Sequence, residues 1–307
     1  MQKIKTMFIG SGEFAVPILD SLIKNELTDI VCVVTQPDKP VGRKQILTPT
    51  PVGEFLQKNT IKLNLETPAK IRLEAENLLN KYQPELIIVA SYGQIIPESI
   101  LNYPKYKALN IHGSLLPELR GAVPVQMAIL NGLKVTGVTI QRMVYEMDAG
   151  PLVGMQEVQL DGTETTDILM DKLASVGSNL LTKVLPQWID GGIQEVVQNE
   201  QNATYCYKDD ISKHKAEIDY DTDVLVAERM IRAFNPWPVA WVNYQGKLLK
   251  IFSAIPTELK EQSEQLKFIK QDKKLYLVLK NGCLEVLELQ LEGKNRDSYI
   301  NYLFLAS

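Results

Sequence analysis

The chain holds 307 residues, 45% hydrophobic and 23% charged, which suits a globular protein long enough for two domains that each bury a core. No apolar run approaches the ~20 residues of a membrane helix, so a membrane-spanning reading is excluded. The net charge of −4 argues against a strongly basic nucleic-acid binder; from Lys208 onward positive and negative side chains balance, so any RNA surface must be a local patch.

The first segments alternate strand and helix. Ile4 to Ile9 is a short apolar strand, too short for a signal-peptide core and ended by Gly10 and Gly12. A helical pattern follows from Phe14 to Ile23, then a β-branched strand from Ile30 to Thr35. Gly10-Ser11-Gly12 is an incomplete dinucleotide fingerprint: no acidic residue ends the second strand, and Asp38 lies beyond Pro37, so the glycines read as a tight turn into the helix. A long Pro- and Gly-rich connection then runs from Gln36 to Pro51 and carries Lys39, Arg43 and Lys44; without regular structure of its own, it reads as a functional loop with cations suited to phosphates.

Ile71 to Tyr82 is predicted helical, stopped by Pro84, and Leu86 to Ala90 reads as a strand buried on both faces of a parallel sheet. Leu109 to His112 is a further strand, Val123 to Leu130 a helix with Pro124 in its first turn, Val135 to Met143 a strand and Thr163 to Leu185 a long helix. This alternation predicts an α/β fold with a doubly wound, mostly parallel sheet. After Asn235-Pro236-Trp237-Pro238 the pattern changes to short β-like runs, Ala240 to Tyr244, Leu248 to Ile255, Leu275 to Leu279 and Cys283 to Leu291, which predict a small β-barrel or sandwich. The boundary is placed near Tyr205 to Lys208, giving domains 1–207 and 208–307.

The chemistry concentrates in one stretch. Asn110 and His112, two apart in a strand, point to the same side at its carboxyl end, where open α/β sheets place ligands. Gly113 lets the chain turn, and Met147-Asp148-Ala149-Gly150 brings a carboxylate from the next strand's end, able to hold the imidazole in place. Asn110 and a protonated His112 would donate hydrogen bonds to an oxyanion in acyl transfer between two nitrogens, with no covalent enzyme intermediate. Ser114 lacks the turn geometry of a nucleophile elbow. His214, between Lys213 and Lys215, belongs on a solvated segment. Cys32, Cys206 and Cys283 lack zinc-ligand spacing and read as reduced thiols, and no feature demands a metal.

Asn110-x-His112 followed by Ser114-Leu115-Leu116-Pro117, then Arg120-Gly121, then Asp148, resembles the 10-formyltetrahydrofolate-dependent formyltransferase family. The resemblance implies a Rossmann-like catalytic domain, an OB-like barrel after it, and Asn110, His112 and Asp148 as the catalytic groups. It places the folate co-substrate against Ser91, Tyr92, Gly93, Gln94, Ile95, Ile96 and Pro97, largely through their backbone, and against Ser114, Leu115, Leu116 and Pro117. The Gln36–Pro51 loop and Arg229 to Pro238 resemble the branch of the family that formylates methionyl-initiator tRNA. That branch implies tRNA contacts from Lys39, Arg43 and Lys44, with Arg43 foremost; the residues Arg229 to Pro238 themselves read as a helix capped by a Pro-rich turn, with Trp237 in the core. A sugar-nucleotide formyltransferase would share the three catalytic residues without needing that loop. The chain departs from the family pattern at Glu118, Ala149 and Pro151. A monomer in a bacterial cytoplasm is the expected state.

Overall fold

The computed structural model describes residues 3–42 and 44–306, and they form two compact units. The first comprises 1–122, 135–159 and 170–205. Its strands begin with β1 (Ile4–Gly10) and β2 (Thr28–Val34), joined by α1 (Ala15–Lys24). A hairpin of β3 (Lys39–Val41) and β4 (Ile46–Thr48) follows, then α2 (Pro51–Lys58), β5 (Leu65–Glu66), α3 (Ile71–Tyr82), β6 (Leu86–Ala90), α4 (Glu98–Asn102), β7 (Ala108–His112) and β8 (Arg120–Gly121). After α5 (Pro124–Leu130), which belongs to the second unit, come β9 (Val135–Arg142), β10 (Leu152–Gln159) and α6 (Thr166–Ile189), whose first turn also belongs to the second unit.

The seven-stranded sheet has the order β10-β9-β7-β6-β1-β2-β5. Five strands from β7 to β5 run parallel, whereas β9 pairs antiparallel with β7 on one side and with β10 on the other. The sequence reading missed β10, four of whose eight residues are exposed and three of those polar, so no apolar run marks it. Strands β1 and β6 are neighbours although β2 and β5 lie on the far side of β1, so the strand order reverses between them. Met7, Ile9, Ile87 and Val89 from these two strands pack with Cys32 and Val34 of β2 and with Ile71, Ala75 and Leu78 of α3. Burial pushes the Cys32 thiol up to about 12.

The connection after β2 is not the unstructured loop expected from its Pro and Gly content. Lys39 pairs with Thr48 and Val41 with Ile46, and the turn between them contains Gly42 at φ 71° and Gln45 at φ 50°. Its base is clamped: Thr35 Oγ1 lies 3.1 Å from Ser11 Oγ and 2.6 Å from Thr50 Oγ1, and Thr50 also caps α2 through Gly53 N. Arg43 lies outside the described residues.

The second unit comprises 123–134, 160–169 and 206–307. Strand β11 (Tyr205–Cys206) straddles the start of its last segment. Helix α7 (Val224–Ala233) is capped by Asp223, which accepts from Leu225 N and Val226 N. The strands β12 (Trp241–Tyr244), β13 (Lys247–Thr257), β14 (Lys267–Gln271), β15 (Lys274–Leu279) and β16 (Gly282–Leu291) form an antiparallel sheet ordered β12-β13-β16-β15-β14, with β17 (Asp297–Ser298) beside β16. The sheet curls into a half-barrel: Tyr244 and Phe268, from its two edge strands, meet edge to face with centroids 5.0 Å apart. Irregular pairing of β13 around Ser253 supplies the bend. Trp237, expected in the core, is 54% exposed, whereas Phe234, at the end of α7, is buried at 1%.

Candidate active site

Strand β7 presents Asn110 and His112 on one face, both nearly buried. Their alignment with β9 matters: Asn110 lies opposite Gln141 and His112 opposite Thr139. Cross-strand partners of this kind stand within side-chain reach. Thr139 is accordingly spent on the chain after His112, donating to the Ser114 carbonyl at 2.7 Å and accepting from Leu116 N at 3.1 Å. Ser114 Oγ in turn donates to the Glu118 carbonyl at 2.6 Å, so its hydroxyl is engaged within the loop.

Asp148 sits between β9 and β10 in a left-handed conformation, φ 50°. Aspartate adopts this region more readily than most residues, yet it still needs local support. Oδ1 accepts from Gln141 Nε2 at 2.8 Å and from Asn110 Nδ2 at 3.3 Å. Oδ2 accepts from the backbone N–H of Gly121 at 2.8 Å and lies 3.7 Å from His112 Nδ1. A carboxylate offers about four acceptor positions. Three are filled by N–H donors, and the fourth faces the imidazole. On the ring's other side, Nε2 lies 2.9 Å from the Leu119 carbonyl. A carbonyl can only accept, so Nε2 carries a hydrogen and donates it.

The three sequence-predicted residues are therefore brought together, with Asn110 on the Asp148 carboxylate and His112 facing it. Sequence reasoning missed Gln141 and Gln198. The Gln141 amide bridges Asp148 and Gly150, accepting from Gly150 N at 3.1 Å. Gln198 Nε2 donates to the backbone carbonyls of Asp148 at 2.8 Å and Gly150 at 2.6 Å. The strand pairing of β7 and β9 would have revealed Gln141; no local signal marks Gln198.

The segment 91–97 leaves the carboxyl end of β6, next to β1, where the strand order reverses. Open α/β sheets bind ligands at such a point. Ser91, at φ 48°, turns its carbonyl back to accept from Ser11 N at 3.1 Å and Gly12 N at 3.2 Å. The side chains of this segment divide. Tyr92 and Ile96 point into the core, and burial pushes the Tyr92 phenol up to about 12. Gln94 Oε1 accepts the first amide of α3, Ile71 N, at 3.0 Å. Ile95 is 74% exposed, leaving one apolar side chain and the turned backbone of Ser91 and Gly93 facing outward. Val89 of β6 pairs with Asn110 of β7, so this segment and Asn110 emerge from neighbouring strands at one sheet edge. Leu116 is buried, and the Pro117 carbonyl accepts from Thr204 N at 3.3 Å. Lys39 and Lys44 lie exposed on the β3–β4 hairpin, where Lys39 Nζ donates to Gln36 Oε1 at 2.5 Å; the Gln36 amide also bonds the Tyr92 carbonyl. Among the described residues no group of three His, Cys, Asp or Glu could hold a metal ion, and no helix is long and apolar enough to cross a membrane.

Comparison with known proteins gives this geometry its class. The formyl transferase family matches residues 2–185, and the formyl transferase C-terminal domain matches residues 210–303. In fold, the chain is similar to the N-formyltransferase from Helicobacter canadensis in complex with folinic acid and dTDP-3-aminofucose, with a TM-score of 0.69 and 20% identity over 92% of this chain and 98% of that one. It is also similar to HypX from Aquifex aeolicus in complex with tetrahydrofolic acid, with a TM-score of 0.66 and 17% identity; there it covers 98% of its own length but only 47% of that chain. The fold and its two matched domains thus define a formyltransferase. In sequence the chain is 38% identical over 302 residues to the methionyl-tRNA formyltransferases of Bacillus cereus strain AH187 and Bacillus thuringiensis subsp. konkukian, covering 98% of this chain and 95% of theirs. The chain belongs to the methionyl-tRNA formyltransferase family.

Proposed function

We propose that this enzyme transfers the formyl group of 10-formyltetrahydrofolate to the amino group of methionyl-initiator tRNA. The observation that carries the reading is the meeting of Asn110, His112 and Asp148 at the carboxyl edge of the sheet, in a chain 38% identical to methionyl-tRNA formyltransferases. The amine lone pair adds to the formyl carbon, charge develops on the formyl oxygen, the bond from that carbon to N10 breaks, and one proton passes from the amine to N10. The Asn110 amide has two N–H groups, one directed at Asp148, and the second stabilises the oxyanion. His112, its Nε2 hydrogen held by the Leu119 carbonyl and its Nδ1 beside Asp148, donates to the same oxyanion from Nδ1 when the ring is protonated. The Asp148 acceptor position facing His112 is the one through which a proton is drawn from the attacking amine, directly or by way of water.

The folate lies against the turned backbone at Ser91 and Gly93, the exposed Ile95 and the Ser114–Pro117 loop, at the reversal of strand order. Lys39 and Lys44 on the β3–β4 hairpin, together with Arg43 and the C-terminal domain, hold the tRNA. No metal is required, since oriented hydrogen-bond donors meet the developing charge. A monomer working in the bacterial cytoplasm, beside translation initiation, is the state that fits this substrate. The test is transfer of label from 10-formyltetrahydrofolate: the formyl group is expected on charged initiator tRNA. Labelling of an amino sugar nucleotide instead, with the tRNA left unmodified, would replace this reading.

A further inference from the structure

The Leu119–Arg120–Gly121 stretch grips both halves of the site through its backbone. Leu119 accepts from His112 Nε2, and Gly121 donates to Asp148 Oδ2. Between them the Arg120 side chain is 1% exposed, far more deeply buried than an arginine usually is. Its Nε and one terminal nitrogen donate to Gln198 Oε1 at 3.2 and 2.8 Å; both terminal nitrogens bond the Glu200 carboxylate at 2.9 and 2.7 Å. Gln198, 6% exposed, then sends both hydrogens of its amide to the carbonyls of Asp148 and Gly150.

We propose that Arg120 and Gln198 form the positioning device that holds Asp148 in its left-handed turn, and through it sets the carboxylate against Asn110 and His112. This rests on the role assigned to Asp148 above. A single NH2 group can bond the carbonyls of residues 148 and 150 together only when the backbone between them is turned. A glutamine amide has two donors and an acceptor oxygen with two lone pairs, and here all four are used. Arg120 also fixes which way the amide faces: a guanidinium offers donors only, so it selects the oxygen of Gln198 and leaves the NH2 for the two carbonyls. Glutamate at 198 would keep the shape and the bond to Arg120, but would set an acceptor against two acceptors.

The test is Gln198→Glu, measured with 10-formyltetrahydrofolate and charged initiator tRNA. Misplacing a reacting group by roughly 1 Å costs on the order of 100-fold in rate. The expectation is therefore a kcat lowered about 30- to 100-fold with both KM values within about twofold of wild type. Arg120→Lys, which keeps a cation near Glu200 but loses the two-nitrogen grip on Gln198, carries the same expectation if Gln198→Glu fails to fold. A positioning role also predicts non-additivity: in an Asp148→Ala background, with enzyme in excess so that slow rates are readable, Gln198→Glu should change the rate by less than about twofold. Equal fold-losses in both backgrounds would show general structural damage and overturn the proposal. So would an unchanged kcat, or a raised KM with kcat intact. Wild-type transfer to tRNA tests the underlying function separately.

Discussion

Gly150→Ala adds one methyl group two residues from Asp148 and touches no catalytic atom. A Cβ at this position would lie 1.8 Å from the carbonyl oxygen of Arg142 and 3.0 Å from its carbon. Side-chain carbons essentially never approach a neighbour closer than 3.0 Å, so the contact must open by about 1.2 Å. Strand β9 is paired on both sides, with β7 and β10, so the 143–150 loop is the part that yields. Gly150 N is bonded to Gln141 and its carbonyl to Gln198, the two glutamines that also hold Asp148. The displacement therefore reaches the carboxylate. At about 100-fold for a ~1 Å misplacement, kcat should fall by about two decades, roughly 2.7 kcal/mol of barrier. Crowding of this kind should also cost about 1–3 kcal/mol of stability. Gly53→Ala is the matched control: its nearest neighbour would be Thr50 Oγ1 at 3.4 Å, an ordinary contact, and the residue lies within α2. It should stabilise by about 0.5–1 kcal/mol through helix propensity. Formylation at saturating substrates, paired with thermal unfolding, measures both effects. A Gly150→Ala enzyme with wild-type kcat would refute the reasoning.

His112→Ala and Asn110→Ala should each lower kcat by about 100- to 1,000-fold while folate binding, followed by quenching of protein fluorescence, stays close to wild type; near-normal turnover in either would sink the oxyanion assignment. His214→Ala should be silent in the same assay, because the ring is 68% exposed and its nearest anion, Asp209, is 3.9 Å away on the surface. Arg43→Ala should raise the KM for charged tRNA and leave slow formylation of a small amine unchanged, and Arg43→Lys should restore it only in part, since the charge returns without the planar fork; wild-type kinetics with tRNA would remove the hairpin from recognition. Tight tRNA binding should also weaken as salt rises, but with a shallow slope for a chain of net charge −4. The Cys32 thiol, raised to about 12 by burial, should resist thiol reagents at pH 8 until the protein unfolds. Because its folded value lies above the unfolded one, the folded state binds more protons between about pH 9 and 12, so this group lowers stability as pH rises through that window. A thiol titrating freely at pH 8 in the folded protein would contradict that burial.

The amino-acid sequence by itself determined the elements whose signals are local. Leu86–Ala90 is apolar throughout and forms a strand buried on both faces; Ile71–Tyr82 carries a helical pattern that Pro84 stops, and both were legible with their exact ends. The period of two along β7 put Asn110 and His112 on one face, and the glycine after them marked the turn. What the sequence could not determine depends on which strand lies beside which. Gln141 faces Asp148 only because β9 pairs antiparallel with β7 and sets it opposite Asn110, and a slip of one residue would have turned it to the other face. Arg120 and Gln198 are 78 residues apart and share no pattern, yet they meet under the Asp148 turn. The hairpin at Lys39–Thr48 escaped notice because its strands are three residues long and mostly exposed, so no alternation develops. Trp237 was misplaced for a related reason: a large apolar residue signals burial, but of the two aromatic residues three apart it is Phe234 that is buried and Trp237 that stays exposed. Local chemistry fixes the period and the punctuation of a chain; competition for the same space and the choice of cross-strand partner exist only once distant segments have packed.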